Sequence, residues 1–269
     1  MDRTGFESFL DQKVRENRFT ISIVFPLVGA LTLIGSQQGL LPEVLSFNPY
    51  FVLFGVLVMR SPLISGLLPI LDRKAGIGVL AVCAYSYFIE FIGVKTGWPY
   101  GNFEYLIELG PMIAGEIPLG LPVFFLPLVL NSYLLTILVL GENVRNSFYR
   151  FFTAVSIVLI IDLVLDPGAV AVSFWSYETG IYYGVPVSNY LGWVLSSVIA
   201  VLVFDRAFDL EKIIGRLEDC EYLLDDMVSF VILWTIISVF YSLWIPSLIG
   251  VLIGLTLYRF ERFNIPAPR

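Results

Sequence analysis

Three carboxyl residues, Glu90, Asp162 and Asp166, interrupt runs that are otherwise almost wholly apolar. An ionisable group at the centre of a membrane helix costs about 2.5–3.5 kcal/mol on insertion scales, so such residues usually mark function. Asp162 and Asp166 are spaced i,i+4, which puts them on one helix face with Cβ atoms about 5–6 Å apart. At a rise of about 1.5 Å per residue, Glu90 and Asp162 are expected about 6–8 Å below their helix ends, with Asp166 at the boundary. Burial disfavours the charged form and neighbouring carboxylates repel, so at least one of the three is expected to keep its proton near neutral pH. A protonated carboxyl in an apolar pocket is a general acid, and an ionised neighbour positions or deprotonates water. Trp98, Tyr100, Tyr105, Trp175, Tyr182, Tyr183 and Trp193 lie nearby in sequence and offer π-faces to a developing cation. Acid, base and π-lined pocket together suit proton-initiated chemistry on an apolar alkene.

Each of these residues also has a plainer reading. Asp166 precedes Pro167-Gly168 and suits a helix end, Asp162 suits a polar contact between helices, and Glu90 suits an interfacial pair with Lys95. Arg60, near the middle of a second apolar run, either snorkels to the surface or partners a buried carboxyl. Asn131 reads as an interhelical hydrogen bond. Glu104, Glu108 and Glu116 read as solvated, with Glu116 close enough to Ile117-Pro118 to matter.

The chain has no histidine, which removes imidazole as base and as metal ligand. No metal and no cofactor are expected. Cys83 and Cys220 fall in different parts of the expected topology, so no disulfide is expected between them. Hydrophobic residues make up 57% of the 269-residue chain and charged residues only 14%, and mean hydropathy is +0.83. So little charge does not solvate a soluble domain, and the chain is expected to be an all-α, polytopic transmembrane bundle. The net charge of −7, with twelve arginines against four lysines, suggests a salt-adapted source. No nucleic-acid partner is expected.

The elements that must position the carboxyls follow from run length. Apolar spans are expected at 20–38, 50–71, 76–95, 118–140, 148–166 and 190–208. The stretch from Met227 to Tyr258 is too long for one helix and short for two, and Trp244-Ile245-Pro246-Ser247 reads as a break. Eight helices result, with seven as the fallback. The division is a segment 1–19, one membrane domain 20–260 with long outer loops 95–117 and 167–189, and a tail 261–269. The first segment lacks the apolar stretch of a signal peptide and reads as retained. Fourteen of the sixteen basic residues fall in the two ends and in alternate connections. By the positive-inside rule both termini are cytoplasmic, in the cell membrane.

Both outer loops contain Thr-Gly-x-x-Tyr-Gly, at Thr96–Gly101 and Thr179–Gly184. The match reads either as a duplicated helix–loop–helix unit or as two similar interfacial turns.

Several ordered blocks resemble a known family. Glu90-Phe91-Ile92-Gly93-Val94-Lys95-Thr96-Gly97-Trp98-Pro99-Tyr100-Gly101-Asn102-Phe103-Glu104-Tyr105 looks like the signature of the membrane carotenoid-biosynthesis hydratases. Leu109-Gly110-Pro111, Ile117-Pro118-Leu119, Asp162-Leu163-Val164-Leu165-Asp166-Pro167, Gly180-Ile181-Tyr182-Tyr183-Gly184-Val185-Pro186 and Asn189-Tyr190-Leu191-Gly192-Trp193 continue the likeness over about residues 75–210. The resemblance implies addition of water across a terminal isoprenoid double bond to give a tertiary alcohol. The acidic, arginine-rich composition tilts the choice to the archaeal branch, whose members convert bisanhydrobacterioruberin to the C50 pigment bacterioruberin. The implied partners are an apolar carotenoid, water and membrane lipid, with contact to other carotenoid-pathway membrane enzymes. The residue roles come from the chemistry alone. Asp162 or Glu90 delivers the proton, and Asp166, with Tyr100 or Asn189, holds the water that captures the cation.

Two other functional classes fit part of the pattern. Asp162-x-x-x-Asp166 has the spacing of an intramembrane magnesium-dependent prenyltransferase, but diphosphate also needs nearby Lys or Arg, and those loops hold only Lys95. Membrane carboxyls also serve proton-coupled transporters, yet the helices before the paired motifs run the same way, so no inverted repeat is indicated. A protein that only binds pigment would return it unchanged.

Overall fold

Long apolar runs have to satisfy their backbone internally once water is excluded, and helices do so within one segment. The computed structural model describes residues 3–265; residues 1–2 and 266–269, at the extremities of the expected amino-terminal segment and tail, lie outside the described residues. The helices are α1 (Arg3–Glu16), α2 (Phe25–Gln37), α3 (Pro49–Leu67), α4 (Arg73–Thr96), α5 (Leu121–Leu140), α6 (Ser147–Ala171), α7 (Val187–Ala207), α8 (Leu210–Asp219), α9 (Asp225–Phe240) and α10 (Trp244–Arg259). A π-turn, Thr20–Val24, runs directly into α2. Among the described residues, six segments are long and apolar enough to cross a membrane: Thr20–Gln37, Pro49–Ile70, Arg73–Thr96, Leu121–Arg145, Ser147–Ala171 and Val187–Ala207. This is a multi-pass membrane protein.

Helices α9 and α10, of sixteen residues each, fold back on one another through Tyr241–Leu243, where Ser242 takes φ +58°. The break therefore precedes Trp244. Pro246 sits in the first turn of α10, where a missing N–H has no intrahelical acceptor to lose. The expected break was placed three residues late for that reason.

A second boundary moves further. Asp166 and Pro167 were expected to end the fifth span, but α6 continues to Ala171. Proline removes the N–H that would bond the carbonyl four residues back, here Leu163, and the Tyr182 hydroxyl donates to that carbonyl at 3.3 Å. The other two intrahelical prolines are matched in the same way. Pro62 frees Val58, which accepts from Ser61 Oγ at 2.6 Å, and Pro127 frees Val123, which accepts from Arg60 Nε at 3.4 Å. The second outer loop accordingly contracts from the expected 167–189 to the residues between α6 and α7.

The two long connections leave the same end of the bundle and pair with each other. Strands β1 (Phe103–Tyr105) and β4 (Trp175–Tyr177) form an antiparallel ribbon in which Phe103 faces Tyr177 and Tyr105 faces Trp175. Between them in sequence lies a second small ribbon, β2 (Met112–Ile113) with β3 (Ile117–Pro118). The two Thr-Gly-x-x-Tyr-Gly segments occupy different places in this architecture. Gly97, at φ +72°, ends α4 in a left-handed turn and the strand follows it. Thr179 follows strand β4 instead. Helix–motif–strand against helix–strand–motif favours two similar turns over a duplicated unit.

The opposite end of the bundle is tied by buried and half-buried ion pairs. Arg18 grips Asp225 with Nε and Nη2 at 2.8 and 3.0 Å. Arg150 grips Asp205 at 2.5 and 3.0 Å, and Tyr133 donates to the same carboxylate at 2.8 Å. Arg60 pairs with fully buried Asp226, which also accepts from Asn131 Nδ2 at 2.7 Å. Arg60 thus partners a buried carboxyl, and Asn131 is the interhelical contact it was expected to be. Replacing Arg60 by methionine leaves Asp226 buried without its cation, with only the Asn131 amide as donor, and breaking such a pair costs about 3–5 kcal/mol. Thermal unfolding in detergent should show a clearly lowered midpoint for Arg60→Met, and Asp226→Leu in the same chain should restore much of it.

Candidate active site

Because α6 extends past Pro167, the depths of the two aspartates change from those expected. Glu90 lies six residues before the end of α4 and Asp166 five before the end of α6, about 9 and 8 Å in at 1.5 Å per residue. Asp162 is one turn deeper. Glu90 and Asp166 are therefore level, and both line one cavity of about 500 Å³. Asp162 is fully buried behind them and is not part of the wall.

The polar groups of this cavity form two connected sets. On one side the Tyr105 hydroxyl, carried in by β1, donates to Glu90. Burial, and then the nearby Glu90 carboxyl, holds the Tyr105 phenol well above its ordinary pKa, so it remains a donor. On the other side Asn189, in the first turn of α7, donates from Nδ2 to Asp166 and, at 3.4 Å, to Asp162. The Tyr177 hydroxyl donates to Asn189 Oδ1 at 3.0 Å and so sets which way the amide points. Asp162 and Asp166 lie one turn apart on the same face of α6 and share the Asn189 amide as donor.

Aromatic rings close the reacting end. Tyr100 is held between α4 and α7 because Gly192 has no Cβ; one built there would lie 2.4 Å from the Tyr100 ring. Its hydroxyl pairs with Ser196 Oγ at 2.7 Å. Trp193 lies 6.0 Å from Tyr100 and stacks on Phe125 at 5.2 Å and 28°. Trp175 meets Tyr105 edge-on at 6.3 Å.

Of the residues expected from sequence, Glu90, Asp166, Tyr100, Tyr105, Trp175, Asn189 and Trp193 line the cavity. Trp98, Tyr182 and Tyr183 do not. Trp98 is 56% exposed, Tyr182 supports α6 at Leu163, and the Tyr183 hydroxyl accepts from the Ile245 N–H at 3.4 Å. Glu90 does not pair with Lys95, whose partner is Glu116. Tyr100, spoken for by Ser196, and Asn189, held by Asp166, support the walls more than they hold free water. Tyr177 and Phe125 were missed. Tyr177 had a signal, since Phe103-x-Tyr105 and Trp175-x-Tyr177 both carry the period-two spacing of strands that turn one aromatic face inward.

The remaining wall is apolar. The cavity reaches from Ser36 to Phe25 along α2, eleven residues or about 16 Å, and down α3 as far as Arg60. Val28, Phe51 and Phe54 line it and are also 55, 55 and 61% exposed, so it meets the outer surface of the bundle between α2 and α3. The arrangement offers carboxyls and tyrosines at one end of a greasy channel whose flank faces lipid. Among the described residues, no group of three or more His, Cys, Asp or Glu is placed to hold a metal ion.

Comparison with known proteins accords with this geometry. The model of the carotenoid biosynthesis protein family matches residues 47–257. This chain belongs to that family. It is also 53% identical over 262 residues to the bisanhydrobacterioruberin hydratase of Haloarcula japonica, covering 97% of this chain and 89% of the relative. No solved structure matches. The family match takes in α3 to α10 almost entirely, and so includes every cavity residue contributed by α4 to α7 and their connecting loops.

Proposed function

We propose that this member of the carotenoid biosynthesis family is a hydro-lyase that adds water across a terminal isoprenoid double bond, converting bisanhydrobacterioruberin to bacterioruberin. The observation that carries the reading is the pairing of Glu90 and Asp166 at one depth of an apolar cavity that opens toward lipid. The 53% identity to a hydratase named for that substrate supports it.

The Asp162–Asp166 pair holds the acid proton, and Asp166, which lines the cavity, delivers it to the less substituted alkene carbon. The π electrons form the new C–H bond, and the tertiary cation develops on the neighbouring carbon beside Trp193, Tyr100 and Trp175. Water attacks that carbon through oxygen and loses a proton to Glu90, which Tyr105 holds ready as an acceptor. A proton returned from Glu90 to the aspartate pair resets the site. Hydration leaves the oxidation level unchanged, so the step consumes no redox cofactor.

The polyene reaches the site sideways, from lipid between α2 and α3, with its reacting tip toward the β1–β4 ribbon. Gly55 lines this channel, and a Cβ built on it meets no atom within 4 Å. Gly55→Phe should therefore fold normally and plug the path, lowering turnover about tenfold or more, as a misplaced substrate does. Product formation in isolated membranes, compared at equal protein, checks this; an unchanged rate would remove the α2–α3 path.

Basic residues at the end opposite the ribbons put that end, with both termini, in the cytoplasm and the carboxyls near the external face of the cell membrane. On this reading residues 20–260 act as one membrane domain with α9 and α10 completing eight spans, and the partners are carotenoid, water, lipid and neighbouring enzymes of the pathway. The deciding experiment is expression in a host that makes the unhydrated carotenoid and lacks a hydratase. The pigment should gain the mass of water; an unaltered pigment with folded protein present would overturn the reading.

A further inference from the structure

The two cavity carboxyls come from opposite sides of the bundle. Helices α4, α5, α6 and α7 close a ring in which each packs on the next and α7 packs on α4, so α4 and α6 stand at opposite corners. Glu90 is carried by α4 and Asp166 by α6, and both line one cavity. Each has its own donor, the Tyr105 hydroxyl for Glu90 and the Asn189 amide for Asp166.

The β1–β4 ribbon holds them apart. Tyr105 faces Trp175 across it, and Tyr177, which donates to Asn189 Oδ1 at 3.0 Å, stands two residues further along the other strand. Tyr105 and Tyr177 are therefore diagonal neighbours on one ribbon face, which puts them about 7–8 Å apart. One reaches Glu90 and the other, through Asn189, reaches Asp166. A spacing of that order leaves room for a flat alkene and a water. Enzymes that cleave sugars from opposite faces separate their two carboxyls by about 6.5–9.5 Å for the same purpose. The other two corners of the ring supply Phe125 from α5 and Trp193 from α7, which stack at 5.2 Å and line the cavity.

We infer that water is added in the anti sense, with the proton arriving on one face of the alkene and the water oxygen on the other. Both events follow the p orbitals, which stand perpendicular to the alkene plane. The donor carboxyl therefore lies over one face, and the water that gives its proton to the second carboxyl also lies over a face. With the carboxyls at opposite corners, the two faces are opposite. The π pair forms the C–H bond, a water lone pair forms the C–O bond on the far face, and the water proton passes to the second carboxyl. The packed rings of Trp193 and Phe125 keep the cation from turning about its central C–C bond before capture. The outcome is the same whichever carboxyl gives the proton. The inference rests on the hydratase reading.

The test uses the wild-type protein in proteoliposomes in deuterium oxide, with a carotenoid carrying carbon-13 in one of the two methyls of its terminal double bond. Hydration then creates two stereocentres, one carbon bearing hydrogen and deuterium and one bearing a labelled and an unlabelled methyl. Anti and syn addition give different diastereomers whichever face meets the acid, and deuterium and carbon NMR against synthetic standards tell them apart. A single anti diastereomer is expected. A syn product would put proton and water on one wall, and a mixture would mean that the cation turns freely; either overturns the inference. Pigment returned with neither deuterium nor the mass of water would sink the hydratase reading and the inference with it, a result distinct from the other two.

Discussion

Replacing Asp166 by asparagine should lower turnover by about 10²–10⁴-fold, the range expected when a positioned proton donor is lost. The amide keeps the shape and offers an oxygen to Asn189 Nδ2, so the wall of the cavity should stay intact. What disappears is the proton. Asp166 is the member of the aspartate pair that reaches the cavity, whereas Asp162 is fully buried behind it. Asp162→Asn should accordingly cost less, since Asp166 retains a carboxyl that can carry a proton to the alkene. Carotenoid retained on the purified Asp166→Asn protein, with no gain of water by mass, is the expected result. Turnover at the wild-type rate would remove Asp166 as the acid.

Glu90→Gln should produce a loss of similar size, about 10²-fold or more, for the opposite reason. The glutamine still accepts the Tyr105 hydroxyl that now meets Glu90, but it does not take up the proton that water loses on attacking the cation. Substrate affinity should be unaffected because the channel walls are unchanged, so the loss should appear in kcat and not in KM. A steady-state comparison in proteoliposomes separates the two constants. A Glu90→Gln protein with wild-type kcat would leave the aspartate pair as the only proton-handling group and remove the two-sided mechanism.

These two experiments also separate the present assignment from the one that residue spacing suggested. Counting back from Pro167 put Asp162 level with Glu90. The structure puts Asp166 there, because Tyr182 supplies the hydrogen bond that Pro167 cannot make and α6 runs on to Ala171. A proline four residues past a carbonyl reads in sequence as a stop; whether a distant hydroxyl rescues the carbonyl is a tertiary matter. The same holds for Arg60. Its charge in the middle of an apolar run announced a partner, and Asp226, 166 residues away, is that partner.

The amino-acid sequence alone determined the class of the molecule and the chemistry available to it. Unsolvated apolar runs of spanning length permit little besides a helical membrane bundle, and carboxyls without histidine leave acid–base work as the natural use. It also picked out most of the aromatic wall, because Tyr105, Trp175 and Trp193 sit in segments whose composition is unusual. Only the tertiary structure decided which carboxyl faces the cavity, that the two long loops pair into one ribbon, and that Trp98, Tyr182 and Tyr183 stand outside the site. The reason is physical: periodicity reports which residues share a face of one element, while the depth and facing of that element depend on hydrogen bonds and close contacts from elements far away in the chain. Tyr182 on the Leu163 carbonyl and Gly192 against the Tyr100 ring are two such contacts, and the site is arranged around them.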